Sequence, residues 1–195
     1  MNNLSSNFIF QKKKCLSNIF CNELIKYFET IEYKSPGYVG GAEDTFVDRS
    51  SKNSLEVSFN IHEDKSPLII SLKQKLEESI VECCDNYYFS FLKNAPTWQI
   101  TPNFNIQKYA PTGGYLKQHC EHGPTEIASK RILAWMIYLN DVMDKGGTRF
   151  PHQNITLKAR VGNLYIWPAG FTHIHHGVTS PSQIKYIATG WCNYI

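Results

Sequence analysis

No apolar run in this sequence is long enough to cross a bilayer, which takes about 20 such residues, so no membrane partner is expected. The opening residues lack the apolar core of a secretory leader. None of the six cysteines (Cys15, Cys21, Cys83, Cys84, Cys120, Cys192) forms a Cys-x-x-Cys pair, which argues against a zinc ribbon. Without an export signal they are expected as reduced thiols in the cytoplasm. Charge of one sign is also lacking. A net charge of +3 and a pI near 8.4 are too mild to predict a nucleic-acid partner. The one basic run, Lys12 to Lys14, reads as a solvated entry to the first helix. There is no repeat and no low-complexity tract. What is present is 195 residues, 42% hydrophobic and 19% charged, enough for one globular domain with a core.

Apolar residues recur at helical spacing from Cys15 to Ile31, through Leu16, Ile19, Phe20, Leu24, Ile25 and Phe28. A polar, glycine-bearing stretch follows from Ser35 to Asn53. Leu55, Val57, Phe59 and Ile61 then alternate with polar residues as in a strand. Ser66-Pro67 predicts a helix start, with Ser66 as cap and an apolar face through Ile69, Leu72, Leu76, Ile80, Cys83, Tyr87 and Phe91. After Pro96 the pattern changes to short strands: Asn103–Tyr109, Leu116–Glu121, Arg131–Asn140, Asn163–Trp167, Phe171–Val178 and Lys185–Tyr194. Gly113-Gly114, Gly146-Gly147 and Pro168-Ala169-Gly170 punctuate them. The expected class is α+β: a double-stranded β-helix, or jelly-roll barrel, with supporting N-terminal helices.

The segment Tyr115-Leu-Lys-Gln-His119-Cys120-Glu121-His122 places a histidine and a carboxylate two apart, hence on one face of a strand, with Cys120 pointing away. The run Thr172-His173-Ile174-His175-His176 offers a second imidazole, and alternation alone leaves His173 and His175 both open. Two imidazoles and a carboxylate on one face of an ion leave its other face free, the facial arrangement of non-haem iron(II) oxygenases. Alternation also puts Lys185, Ile187, Thr189 and Trp191 on one face, and Ala134, Met136 and Tyr138 on another. A lysine, a threonine and a tyrosine are thus candidates to line one cavity, where a buried cation suits a dicarboxylate.

With these residues in view, roughly the last hundred positions resemble the prolyl 4-hydroxylase-like branch of the iron(II)/2-oxoglutarate dioxygenases. That family's His-x-Asp, later histidine, and Lys or Arg about ten positions on become His119-x-Glu121, His175 and Lys185 here. Its tyrosine ahead of the first ligand falls on Tyr109, its Tyr-Leu-Asn on Tyr138-Leu139-Asn140, and its glycine turn on Gly146-Gly147-Thr148-Arg149-Phe150. The ending with Thr and Trp falls on Thr189 and Trp191. The resemblance implies His119, Glu121 and His175 as catalytic iron ligands. It implies Lys185 on the distal carboxylate of 2-oxoglutarate, Tyr138 and Thr189 hydrogen-bonding beside it, and Tyr109 near co-substrate or substrate. It further implies Fe(2+) and 2-oxoglutarate as cofactors, with ascorbate as a candidate reductant. The implied reaction hydroxylates an aliphatic carbon, best a peptidyl proline, while 2-oxoglutarate is decarboxylated to succinate. Residues 1–195 then form a single domain, with 1–95 as helical support and first strands and 96–195 as the jelly-roll catalytic core. Glu121 departs from the family's aspartate by one methylene, and its retained charge favours hydroxylation over halogenation.

The spacing to Lys185 favours His175 over His173. His122 and His176 read as polar rim, His62 and His152 as surface or loop. Trp98, Trp135 and Trp167 read as packing, and Arg131 and Arg160 as surface charges unless one lies near a barrel mouth. Rival functions are a hydroxylase of a free amino acid or other small molecule, a cupin-like metal-binding module without catalysis, and an interaction scaffold. The cupin-like module has no use for Lys185 or Tyr138, and the scaffold leaves the whole constellation as coincidence.

Overall fold

The computed structural model describes residues 7–39 and 45–195. Gly40 to Asp44, within the expected polar stretch, and the side chain of Tyr87 lie outside the described residues. The first half builds β1 (Phe10–Lys12), α1 (Asn18–Thr30), β2 (Ser35–Pro36), β3 (Leu55–Asn60), α2 (Pro67–Asp85) and a 3-10 helix (Tyr87–Lys93). The second builds β4 (Trp98–Ile100), β5 (Asn103–Tyr109), α3 (Glu126–Ser129), β6 (Arg131–Tyr138), β7 (Thr148–Phe150), β8 (Ile155–Leu157) and β9 (Leu164–Pro168). A 3-10 turn (Phe171–His173), β10 (His176–Gly177) and β11 (Lys185–Tyr194) complete it. An eight-stranded antiparallel sheet runs β1-β9-β6-β11-β5-β3-β2, with β4 also on β11, and a three-stranded one runs β10-β7-β8.

The helices form where capping and apolar spacing agree. The Ser17 hydroxyl accepts from the Phe20 amide at 3.1 Å, and α1 turns Cys21, Leu24 and Phe28 inward. Ser66 makes no side-chain cap; instead the Asp64 carboxylate accepts from the Ser66 amide at 2.8 Å. The α2 helix also stops earlier than its apolar spacing predicts. The Asn86 side chain accepts from the Tyr88 amide and opens the 3-10 helix, which leaves Phe91 69% exposed. Lys12 lies on β1 and pairs with Glu82 of α2 at 2.7 Å, so the basic run is partly a tie between sheet and helix.

Both long helices cover one face of the large sheet. Leu24, Phe28, Ile69, Leu72 and Leu76 join Phe104, Ile106, Trp135, Ile137, Ala188 and Cys192 in one core. Burying each such large apolar side chain is worth about 1.5–3 kcal/mol. The alternate residues of the same strands point the other way. In the register of β5, β11 and β6, Lys185 lies opposite Tyr109, Ile187 opposite Gln107 and Tyr138, and Thr189 opposite Asn105 and Met136. Glu56 on β3 extends this row beside Gln107. The inner face therefore carries polar groups at positions fixed by the ladder.

Two expected strands are not strands. Residues 116–121 make one bridge, between His119 and His175, next to one between Tyr115 and Lys52, and are otherwise tied by single backbone bonds such as Glu121 to the Ala169 carbonyl at 3.0 Å. Residues 171–178 begin as a 3-10 turn and yield only the two-residue β10. Gly147 opens β7 where it passes under β8; a Cβ there would meet the Leu157 carbonyl oxygen at 2.2 Å.

Candidate metal and co-substrate site

His119, Glu121 and His175 bring one ligand atom each within 4.8 Å of one another. The Glu121 Oε1 lies 3.6 Å from His119 Nε2 and 3.4 Å from His175 Nε2. Atoms bonded to one ion at roughly 2.1 Å and at right angles stand about 3 Å apart, so a small inward movement of these groups accommodates a metal. Both imidazoles are oriented for it. His119 Nδ1 donates to the Lys117 carbonyl at 2.8 Å and His175 Nδ1 to the His173 carbonyl at 2.9 Å, which turns each Nε2 toward Glu121. Tyr115 stacks on His119 with centroids 3.7 Å apart, and His175 is held between Phe150 and Trp167.

The carboxylate is held from behind as well. Trp191 Nε1 donates to Glu121 Oε2 at 2.7 Å, and Arg131 donates to the Glu121 backbone carbonyl at 2.9 Å. Burial alone would raise the Glu121 pKa, but hydrogen bonds and charge from His119 and His175 outweigh it and hold the carboxyl well below the usual range. Arg131 is thus not a plain surface charge: it lies half-buried over the Trp191 ring at 3.8 Å.

His173 takes no part in this cluster. Its Nε2 donates to the Asn7 carbonyl at 3.0 Å and its Nδ1 takes the Thr172 hydroxyl at 2.9 Å, so neither nitrogen is free. The 3-10 turn rotates it off the face that alternation assigns. His122 donates to the Ser129 carbonyl at 2.7 Å and lines the neighbouring groove. Cys120 also lies on that groove.

Behind the cluster lies a cavity of about 100 Å³. Drug-sized ligands occupy roughly 300–1,000 Å³, so this one admits only a small molecule. Tyr109, Gln107, Thr148, Lys185 and Thr189 are among its lining residues. Lys185 is 5% exposed, and among the described residues no carboxylate pairs with it; its ammonium lies 4.8 Å above the Tyr109 ring. Burial lowers its pKa from 10.5 to about 8. The other lysine at this cavity, Lys52, is already neutralised by Glu56 at 2.7 Å. Tyr138 departs from its expected place. It is fully buried behind the cavity wall, and its hydroxyl is shared with Thr148 at 2.8 Å, so Thr148 is the group that reaches the cavity. Thr189 lines the cavity while its hydroxyl donates to the Trp135 carbonyl at 2.9 Å, and Tyr109 donates to Gln107 at 2.6 Å. Thr148, Gln107 and Lys52 are site residues that sequence reasoning did not single out. As ordinary polar strand or loop residues they carry no signal without the fold.

Residues 104–193 match the sequence profile of the 2OG-Fe(II) oxygenase superfamily. No curated protein sequence matches the chain. Among solved structures, a viral collagen prolyl hydroxylase from Paramecium Bursaria Chlorella virus-1, in complex with 2-oxoglutarate, superposes with a TM-score of 0.70. Identity is 18% over 96% of this chain and 97% of that one. A Pseudomonas putida prolyl-4-hydroxylase gives a TM-score of 0.72 at 13% identity, over 100% of this chain and 96% of that one. A Trichoplax adhaerens prolyl hydroxylase, in complex with a hypoxia inducible factor oxygen degradation domain peptide fragment, gives 0.74 at 16%, over 99% and 86%. These likenesses establish the fold, and the sequence match points to the same superfamily. Residues 104–193 of the chain are thus similar to the 2OG-Fe(II) oxygenase superfamily, and the chain has a prolyl 4-hydroxylase-like fold.

Proposed function

We propose that the protein hydroxylates a proline within a peptide or protein chain, with His119, Glu121 and His175 holding the iron and Lys185 holding the distal carboxylate of 2-oxoglutarate. The observation that carries this reading is Lys185: a buried ammonium without a carboxylate partner among the described residues, in one small cavity with the two imidazoles and Glu121. A buried charge is costly unless paired. A dianion that reaches from Lys185 to the metal supplies the missing partner, and neither a bare metal-binding module nor a scaffold does so. When bound, ferrous iron and 2-oxoglutarate supply the oxidising chemistry, coupling decarboxylation to succinate with insertion of oxygen into a C–H bond.

The chain's own residues bind, orient and exclude water. Lys185 fixes one end of the co-substrate, with the Tyr109 ring behind the ammonium. Met136, Trp167 and Ile187 form the apolar part of the wall. The two sheets serve as the halves of a jelly roll that encloses this cavity.

The substrate reading rests on the space outside. A groove of about 820 Å³ adjoins the same cluster, and Ser35, Tyr38, His122 and Thr125 contribute to its walls. An open groove suits an extended chain better than a free amino acid. The prolyl hydroxylase neighbours, one of them with a peptide in place, point the same way. The test is mass spectrometry after incubation with iron(II), 2-oxoglutarate and proline-containing peptides. A gain of about 16 daltons on proline is expected, the mass of one oxygen atom. Oxidation of free proline with every peptide inert would replace the substrate class and leave the enzyme class standing.

A further inference from the structure

Glu121 is one methylene longer than the aspartate of the family that the sequence resembles, and a longer ligand has one more bond about which to swing. We infer that Trp191 and Arg131 form a clamp that removes this freedom and fixes Glu121 to ligation through a single oxygen. The inference rests on the ligand set proposed above.

Three contacts converge on this residue. The indole N–H of Trp191 donates to Oε2 at 2.7 Å, while Oε1 faces the two Nε2 atoms at 3.4 and 3.6 Å. The two carboxylate oxygens are therefore committed in opposite directions. Arg131 donates to the backbone carbonyl of the same residue at 2.9 Å, and its guanidinium lies 3.8 Å over the Trp191 ring. One stacked pair thus holds Glu121 at both its backbone and its carboxylate. Both members come from ladder positions: Trp191 pairs with Ala134 and Arg131 with Asn193 across β11 and β6, so the sheet sets where the clamp stands.

The chemistry needs this restraint. A metal held by two imidazoles and one carboxylate oxygen would keep its remaining positions for 2-oxoglutarate and dioxygen. If both Glu121 oxygens bound, one of those positions would be lost. Turning the carboxylate to do so breaks the indole hydrogen bond. An aspartate at this position, drawn back by about 1.5 Å, the length of one carbon–carbon bond, cannot reach the metal and Trp191 together. Trp191 and Arg131 are in this sense positioning residues for the metal ligand.

The test is a double-mutant cycle on cobalt(II) affinity, measured by visible absorbance on the full chain without substrate. Trp191→Phe keeps an aromatic ring under Arg131 and removes the N–H. It is expected to weaken cobalt binding about tenfold or more, as for other groups that orient metal ligands. Glu121→Asp is expected to weaken it as well, although it restores the aspartate of the resembled family. The double variant is expected to bind within about threefold of Glu121→Asp alone, because the partner of the indole is already out of reach. A general loss of packing at Trp191 would instead weaken both backgrounds by the same factor. Equal factors in the two backgrounds, or an unchanged constant for Trp191→Phe, would overturn the clamp. His175→Ala is the control for the ligand set: undiminished cobalt binding in that variant would overturn the ligand assignment and the clamp with it.

Discussion

Replacing Lys185 by methionine separates the cost of the site from its use. In the folded chain burial pulls the lysine pKa down from 10.5 to about 8. At about 1.36 kcal/mol per tenfold change in the proton equilibrium, the empty site at neutral pH carries a penalty of about 3 kcal/mol. Because the folded pKa lies below the unfolded one, the penalty is complete below pH 8 and fades as pH rises from about 8 toward 10.5. Methionine keeps the apolar stem and drops the charge, at the loss of a cation–π contact worth roughly 0.5–2 kcal/mol. The protein without co-substrate should therefore gain about 1–2.5 kcal/mol, or roughly 2–10 °C in melting temperature for a chain of this length. Co-substrate binding should move the other way. Removing one member of a buried ion pair costs about 3–5 kcal/mol, so the affinity for 2-oxoglutarate should fall by two to three orders of magnitude or more, at about 1.4 kcal/mol per decade. Lys185→Arg should be milder but not neutral, because its fork is bulkier and reaches further. Thermal unfolding and anaerobic 2-oxoglutarate titration read the two effects. A Lys185→Met protein that melts lower and binds 2-oxoglutarate as the parent does would refute the reasoning and move the anion site elsewhere.

Three further outcomes follow. His175→Ala should abolish metal binding and uncoupled decarboxylation, whereas His173→Ala should lose stability but keep both, since both its ring nitrogens serve structural bonds; a His173→Ala protein that loses both beside a His175→Ala protein that keeps them would reverse the assignment. The dissociation constant for 2-oxoglutarate should rise with pH above about 8 as Lys185 loses its proton, and should be flat in Lys185→Met; titration calorimetry across pH 7 to 9.5 is the check. Lys52→Met should cost about 3–5 kcal/mol of stability by leaving Glu56 buried without a counter-charge, held by the Ser54 hydroxyl, with recovery in the Lys52→Met/Glu56→Gln double variant, as read by denaturant unfolding.

The sequence was most legible where a long strand imposes period two. The spans expected for β5 and β11 are those observed, and β6 differs only at its end. From alternation on these strands came the shared face of Lys185, Ile187, Thr189 and Trp191, all four of which line the inner cavity. Legibility failed where backbone conformation comes from contacts far along the chain. Residues 116–121 alternate like a strand but find only one bridge, to His175. His119 and Glu121 are brought together by that bridge, by the Glu121 amide on the Ala169 carbonyl, and by Arg131 and Trp191, rather than by a ladder. Alternation could not separate His173 from His175, because a 3-10 turn intervenes; the spacing to Lys185 pointed to His175, which the structure brings to Glu121. The three-residue strands β1, β7 and β8 are too short to show a period, so Thr148 at the cavity wall went unseen and Tyr138 was assigned its place. Arg131 read as surface because stacking on Trp191 is visible only once β6 and β11 are paired.

The central claim is that one cluster binds iron and one lysine behind it binds 2-oxoglutarate. Anaerobic titration of the iron(II)-loaded protein with 2-oxoglutarate, followed by the visible charge-transfer absorbance of the complex, tests both halves at once. The account predicts a saturable band in the parent, none in His175→Ala, and in Lys185→Met a band that appears only at concentrations a hundredfold or more higher, at about 1.4 kcal/mol per decade. A parent protein that retains iron yet shows no band, or a Lys185→Met curve that overlays the parent, would contradict it.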